Sequence, residues 1–365
     1  MDIIMTDDVR MKKTMNRMGL TLIVNSLLMQ TFGAVPSLIW PGKDVIQESL
    51  SDSVYSLIYL SAFMLPVALF ALLMRKLGMQ PMRLEMKVPA ATPLMILAGM
   101  AVITAAAFVN SILFAWVDFS PIMDAQEYDT PARFIMGFIS IALVPAVCEE
   151  FLFRGCVLSN LLPYGKTTAV LGSALLFSLM HSNWPQYFYT FCAGIVLGLI
   201  YTETGSIWPG MFLHLFNNFY SVIMSAAEKR FDADVYNRIT VLSETCLMLA
   251  GLALGFGTIV SSMTTKYRDL QVLFSFLVSL WMYATPIVYP LSQTGSKFFL
   301  GVPVHTFMCL NPVTPVIETF KYGFLGAGEF VGWRWLIYSF VFMCILLALG
   351  IVIFNKVQKS FMDTV

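Results

Sequence analysis

Two adjacent carboxylates interrupt one of the most apolar parts of this chain. Val147-Cys148-Glu149-Glu150-Phe151-Leu152-Phe153-Arg154-Gly155 closes a segment, Phe134 to Phe153, that is otherwise apolar enough to cross a bilayer. A charge near the membrane centre costs roughly 2.5–3.5 kcal/mol on insertion scales, so a chain keeps such groups where they pair or work. Glu150 and Arg154 are four residues apart, share a helix face and can pair. Glu149 is turned about 100° away and has no local partner. The simpler alternative is that both glutamates sit at a membrane–water boundary and are solvated.

The chain has only three histidines. His181 ends the apolar stretch from Thr167, with Phe177 one helical turn before it. His214 lies inside Phe212-Leu213-His214-Leu215-Phe216-Asn217-Asn218, and Asn218 stands one turn after it on the same face. His305 has no polar companion in register and reads as structural or loop. A desolvated carboxylate is a stronger general base. A neutral imidazole can share a water with it, and a second imidazole and a carboxamide can donate to a developing oxyanion. These parts suit attack of water on an amide carbonyl. The chain has no Gly-x-Ser-x-Gly, no HExxH and no cysteine plausibly paired with a histidine, so a covalent route is not expected. Two histidines and a glutamate also make three ligands for a metal with an open position. Spacing alone does not separate water activation by glutamate from water activation by zinc.

The elements that position these residues are membrane helices. The chain has 365 residues, 58% hydrophobic and 12% charged, with zero net charge and a mean hydropathy of +0.75. That composition describes an all-α polytopic transmembrane bundle and leaves no basic footprint for nucleic acid. Apolar stretches fall near 18–40, 54–74, 93–117, 133–153, 167–182, 187–201, 207–226, 240–262, 271–290 and 335–354. The basic N-terminus (Arg10, Lys12, Lys13, Arg17) precedes an uncleaved first span. Basic residues at Arg75, Lys76, Arg83, Lys87, Arg154, Lys166, Lys266, Arg268, Lys356 and Lys359 face inside. The acidic loop with Asp118, Asp124, Glu127 and Asp129 falls outside, so both termini are expected in the cytoplasm. Pro163-Tyr164-Gly165-Lys166 reads as a turn between spans; Asn160 stands where a P-loop needs glycine. Six scattered cysteines, without CxxC spacing, read as small core residues.

Glu149-Glu150-x-x-x-Arg154, Phe177-x-x-x-His181 and His214-x-x-x-Asn218, in that order on successive spans, resemble the CPBP family. This is the CAAX-prenyl-protease and bacteriocin-processing group of intramembrane proteases. The resemblance covers roughly 15–245 and implies an eight-helix membrane fold with an internal cavity. It implies that Glu149 and His181 activate the water, that His214 and Asn218 form the oxyanion site, and that Glu150 and Arg154 support them. It implies either no cofactor or a single divalent metal such as zinc, with Glu149, His181 and His214 as the candidate ligands. The metal-free route is the reading preferred here, since no third strong ligand is evident.

After about residue 250 the chain changes character. Lys266-Tyr267-Arg268-Asp269-Leu270, Trp281 to Pro290 and Leu310-Asn311-Pro312-Val313-Thr314-Pro315 resemble the C-terminal half of the permease subunit of polysaccharide ABC exporters. This suggests a protease domain over 1–249 and a permease-like segment of about two spans over 250–365. Pro286, Pro290, Pro312 and Pro315 would break helices at membrane depth. No ATPase motif is present, so transport would need a separate ABC ATPase partner. The expected function is an intramembrane endopeptidase of the bacterial cytoplasmic membrane, acting on a membrane-associated peptide or protein. The alternatives are a polysaccharide exporter subunit and a catalytically idle protein that binds cargo.

Overall fold

Runs of apolar residues bounded by proline, glycine and capping side chains fold here into helices. The computed structural model describes residues 7–33, 45–75, 77–114, 128, 130–181, 184–267, 270–287, 289–294, 298–299 and 301–362. The acidic loop that set the expected orientation lies outside these residues, as do Arg268 and Asp269. The helices are α1 (Asp7–Gly33), α2 (Val45–Met74), α3 (Thr92–Leu113), α4 (the continuous run Pro131–Tyr164), α5 (Lys166–Met180), α6 (Tyr187–Thr204), α7 (Trp208–Arg230), α8 (Ala233–Lys266), α9 (Leu270–Tyr283), α10 (Val304–Cys309), α11 (Val313–Leu325) and α12 (Trp333–Met362). One two-residue hairpin, Phe298–Phe299 with Val302–Pro303, accompanies them. This is an all-α polytopic bundle.

Among the described residues, five stretches are helical, long and apolar enough to cross a membrane: Ser56–Met74, Thr92–Leu113, Pro131–Tyr164, Ala233–Thr265 and Trp333–Val357. Helices α5 and α9 are apolar but shorter than a standard span. The expected 133–153 and its following turn form one long helix. The chain stays helical through Glu149, Glu150 and Arg154 and turns only at Gly165, whose φ of 117° favours glycine.

The chain divides into two compact units, 1–99 with 110–230, and 100–109 with 231–365. In the first, α1 packs on α2, α5 on α6, and α4 contacts α2, α5 and α7. Its core gathers on α4: Leu152, Phe153, Cys156, Val157 and Leu158 are buried with Phe177, Tyr201 and Ile207. Thr130 opens α4 by accepting from the backbone N–H of Arg133, with Pro131 in the first turn where its missing donor costs nothing. Helices α5 and α6 approach closely at Gly194, where an added Cβ would lie 2.8 Å from Ala174 Cα.

In the second unit, α8 packs along α12 and α11. Small residues permit this: a Cβ on Gly255 would sit 2.9 Å from Leu346 Cβ, and Gly350 faces Thr258. Asp232 caps α8 by accepting from Val235 N–H at 2.9 Å. The position 249/250, where composition changes, falls inside α8, which is continuous. Pro286 and Pro290 do lie in irregular backbone after α9. Lys321 of α11 donates to the carbonyls of Pro286 and, at 3.3 Å, Tyr289, and pairs with buried Glu318 at 2.8 Å. Freed carbonyls are thereby satisfied from within the protein. Pro312 and Pro315 differ from expectation: one caps α11 and the other sits in its first turn, so they start a helix and break none. His305 has a companion after all, with Nε2 3.7 Å from Glu329.

Candidate active site

Helix α4 changes geometry on either side of the paired glutamates. Phe138–Leu143 and Phe151–Leu158 are π-helical, while Val144–Glu150 between them is α-helical. Such segments leave backbone groups displaced from the ordinary ladder and are frequent at functional sites. One displaced carbonyl, that of Arg154, accepts from Ser159 Oγ at 2.8 Å, and Ser159 in turn meets Tyr201 OH at 2.7 Å.

Glu150 and Arg154 are fully buried and joined at 2.8 Å, the pairing that their spacing predicts. Arg154 also donates to the Gly194 carbonyl at 3.2 Å, and its guanidinium lies 4.6 Å from the Phe177 ring centre. A buried charge is tolerable with this much company. The same oxygen of Glu150 receives a second bond, 3.0 Å from His214 Nδ1. Gly210, one turn before His214, leaves room beside the other oxygen: a Cβ there would be 3.2 Å from Glu150 Oε2.

The Glu150 bond sets the orientation of His214. With Nδ1–H given to a carboxylate, the opposite nitrogen Nε2 points to Glu149 and stops 3.8 Å from its Oε2. Glu149 is 7% exposed. Its Oε1 accepts a hydrogen bond from the hydroxyl of Tyr59 on α2, and its Oε2 bonds to no described residue. At 3.8 Å the two free atoms are too far apart to bond directly, yet both lie within reach of one shared water.

His181, at the C-terminal end of α5, turns Nδ1 to the Phe177 carbonyl at 2.9 Å. A carbonyl only accepts, so Nδ1 carries the proton and Nε2 is the acceptor in the neutral ring. Its ring meets Phe177 edge-on at 4.8 Å, and His214 meets the same ring at 5.8 Å. Phe177 therefore stands between the two histidines. Asn218 is one turn further along α7 and donates through Nδ2 to the Ile141 carbonyl of α4 at 3.0 Å. That nitrogen carries a second N–H.

Glu149, Glu150, Arg154 and His214 thus form one contiguous cluster. His181 meets it through the Phe177 ring, and Asn218 is anchored to the Ile141 carbonyl of α4, with no hydrogen bond to these four side chains. Two features escape the sequence. Tyr59 lies ninety positions from Glu149, with nothing local to mark it beyond Phe63 stacked one turn later at 4.8 Å. The Glu150–His214 bond is equally invisible to spacing. The zinc reading does not fit this arrangement. Among the described residues no group of three or more His, Cys, Asp or Glu side chains is placed to hold a metal ion.

The fold and the cluster together define an integral membrane protein with a buried carboxylate–histidine site. Residues 131–220 match the family model for Type II CAAX prenyl endopeptidase Rce1-like. The match takes in every residue of the cluster except Tyr59, and it supports an intramembrane protease in general. No curated protein and no solved structure matches the chain.

Proposed function

We propose that the chain is an intramembrane endopeptidase that hydrolyses a peptide bond of a membrane-anchored peptide or protein with water activated by Glu149. The observation that carries this reading is the position of Glu149. It is a buried carboxylate with one oxygen held by Tyr59 and the other facing His214 Nε2 at 3.8 Å, a separation that suits one bridging water. Glu149 Oε2 takes a proton as the water oxygen bonds to the carbonyl carbon. The carbon becomes tetrahedral, and its oxygen takes the electron pair of the broken π bond. Collapse breaks the C–N bond, and the proton held by Glu149 passes to the departing amine. His181, with Nε2 as acceptor, helps to orient the water. His214 donates through Nε2 only when protonated, since Nδ1–H belongs to Glu150, and the second N–H of Asn218 is the other oxyanion donor.

The substrate is a peptide already held at the membrane, because the site lies in a helix long and apolar enough to cross one. We place the reaction near the cytoplasmic face of a bacterial cytoplasmic membrane, following the distribution of basic residues. The experiment is direct. The purified protein in lipid vesicles is incubated with two peptides, one with a prenylated C-terminal tail and one anchored by an apolar leader. Mass spectrometry of the products should reveal one new C-terminus from at least one peptide. Folded protein that cleaves neither would remove the protease reading in favour of a binding role.

A further inference from the structure

The second unit has a cavity of its own, of about 710 Å³, between the centre of α3, the first half of α8, α11 and the start of α12. Four aromatic rings on it touch in sequence. Phe108 and Trp333 lie 5.5 Å apart, Trp333 and Phe330 4.9 Å, Phe330 and Tyr322 6.0 Å. Tyr322 and Trp333 line the cavity and are 55% and 53% exposed. Helix α8 adds three charges. Arg238 gives Nε to Asp234 at 2.9 Å and a second N–H to the Phe324 carbonyl at 3.3 Å, so its charge is satisfied. Glu244 makes no hydrogen bond or ion pair with any described residue, although it lines the cavity from within an apolar helix. With Arg238 matched by Asp234, Glu244 is the carboxylate in excess among the three.

An aromatic belt at a membrane surface explains rings. It does not explain a solitary carboxylate among them, which is unfavourable at membrane depth until a proton or a cation neutralises it. A divalent metal would require several oxygen ligands, and one unpaired carboxylate beside four rings does not supply them. Aromatic faces instead attract weakly hydrated organic cations, and the volume suits a small molecule. We propose that this cavity binds a bulky organic cation, with the charge held by Glu244 and the body packed against Phe108, Trp333, Phe330 and Tyr322. The site shares no residue with the candidate protease centre and does not depend on its activity.

The test uses the full-length protein in detergent with radiolabelled tetraphenylphosphonium, measured by equilibrium dialysis against protein-free micelles. The expected result is saturable binding, about tenfold or more weaker in Glu244→Gln through loss of the charge, and several-fold weaker in Trp333→Ala. Tetraphenylborate, of the same shape and opposite charge, should not compete, and this arm needs no variant. Glu244→Asp should retain most of the binding, which separates charge from folding. Wild-type affinity in Glu244→Gln, equal competition by tetraphenylborate, or no saturable binding would each overturn the proposal. Repeating the titration in phosphatidylglycerol discs with and without phosphatidylethanolamine separates the sources. Competition by the amine lipid assigns the site to a lipid headgroup, and indifference assigns it to a free cation.

Discussion

At the scale of single residues, the candidate site is a set of oriented hydrogen bonds. Glu150 receives Arg154 on one side and His214 on the other with the same oxygen. In the proposed site it holds an arginine and points a histidine. Removing one partner of a fully buried pair typically costs about 3–5 kcal/mol, so Arg154→Ala should lower the thermal midpoint in detergent sharply. An unchanged midpoint with a reduced rate would show that Arg154 acts in the reaction itself. Tyr59→Phe removes the donor to Glu149 Oε1 while leaving the ring stacked on Phe63. Turnover should fall about tenfold, the worth of one charge-assisted hydrogen bond of roughly 1.5 kcal/mol, with KM little changed. A rise in KM at constant kcat would make Tyr59 a substrate contact instead. Spacing made much of this legible. Glu150–Arg154, Phe177–His181 and His214–Asn218 are all one-turn relations, and a helix converts such spacing directly into proximity. Tyr59 and the Glu150–His214 bond were hidden because each joins helices distant in the chain, where sequence carries no metric.

At the scale of elements, the site depends on how closely helices meet. The α5–α6 contact at Gly194 leaves no room for a side chain, and the carbonyl of that glycine is a ligand of Arg154. Gly194→Ala must therefore push α6 away from α5 and disturb Arg154 at once. The expected loss is about 1–3 kcal/mol of stability, as for overpacked cores, together with reduced cleavage. Unfolding in denaturant and the peptide assay read the two separately; a variant normal in both would show that the helices part without consequence. The helices themselves were readable from apolar runs, and so was a turn at Gly165, although Pro163 and Tyr164 before it are still helical. The π segments around the glutamates were not, since a shift in hydrogen-bond register leaves no mark on hydropathy. Proline was misread at Pro312 and Pro315 because one residue serves both to stop a helix and to start one, and only the chain's direction at that point decides.

For the whole molecule, composition alone established a polytopic helical bundle. The division of the chain is subtler. Residues 100–109, in the middle of α3, cluster with 231–365. Ala101, Ile103, Ala105 and Ala106 there are fully buried, and Ala101 lies against Gly251 of α8. A chain ending at residue 230 would strip the cover from this stretch. Such a fragment should extract poorly and unfold at a lower temperature than the full chain in the same detergent. Equal melting of the two would mean that α3 is satisfied without the second unit. The compositional change near 250 falls inside a continuous helix, Ala233–Lys266.

The central claim is that Glu149 makes water the nucleophile. Its most direct test is the cleavage rate of Glu149→Gln beside the parent chain, in the same vesicles with the same peptide. The substitution keeps the shape of the side chain and its acceptor for Tyr59 while removing the base. General-base catalysis contributes typically 10²–10⁴-fold, so the variant should lose at least about a hundredfold in rate and melt at the parent's temperature. Hydrolysis by Glu149→Gln at the parent rate would contradict the account.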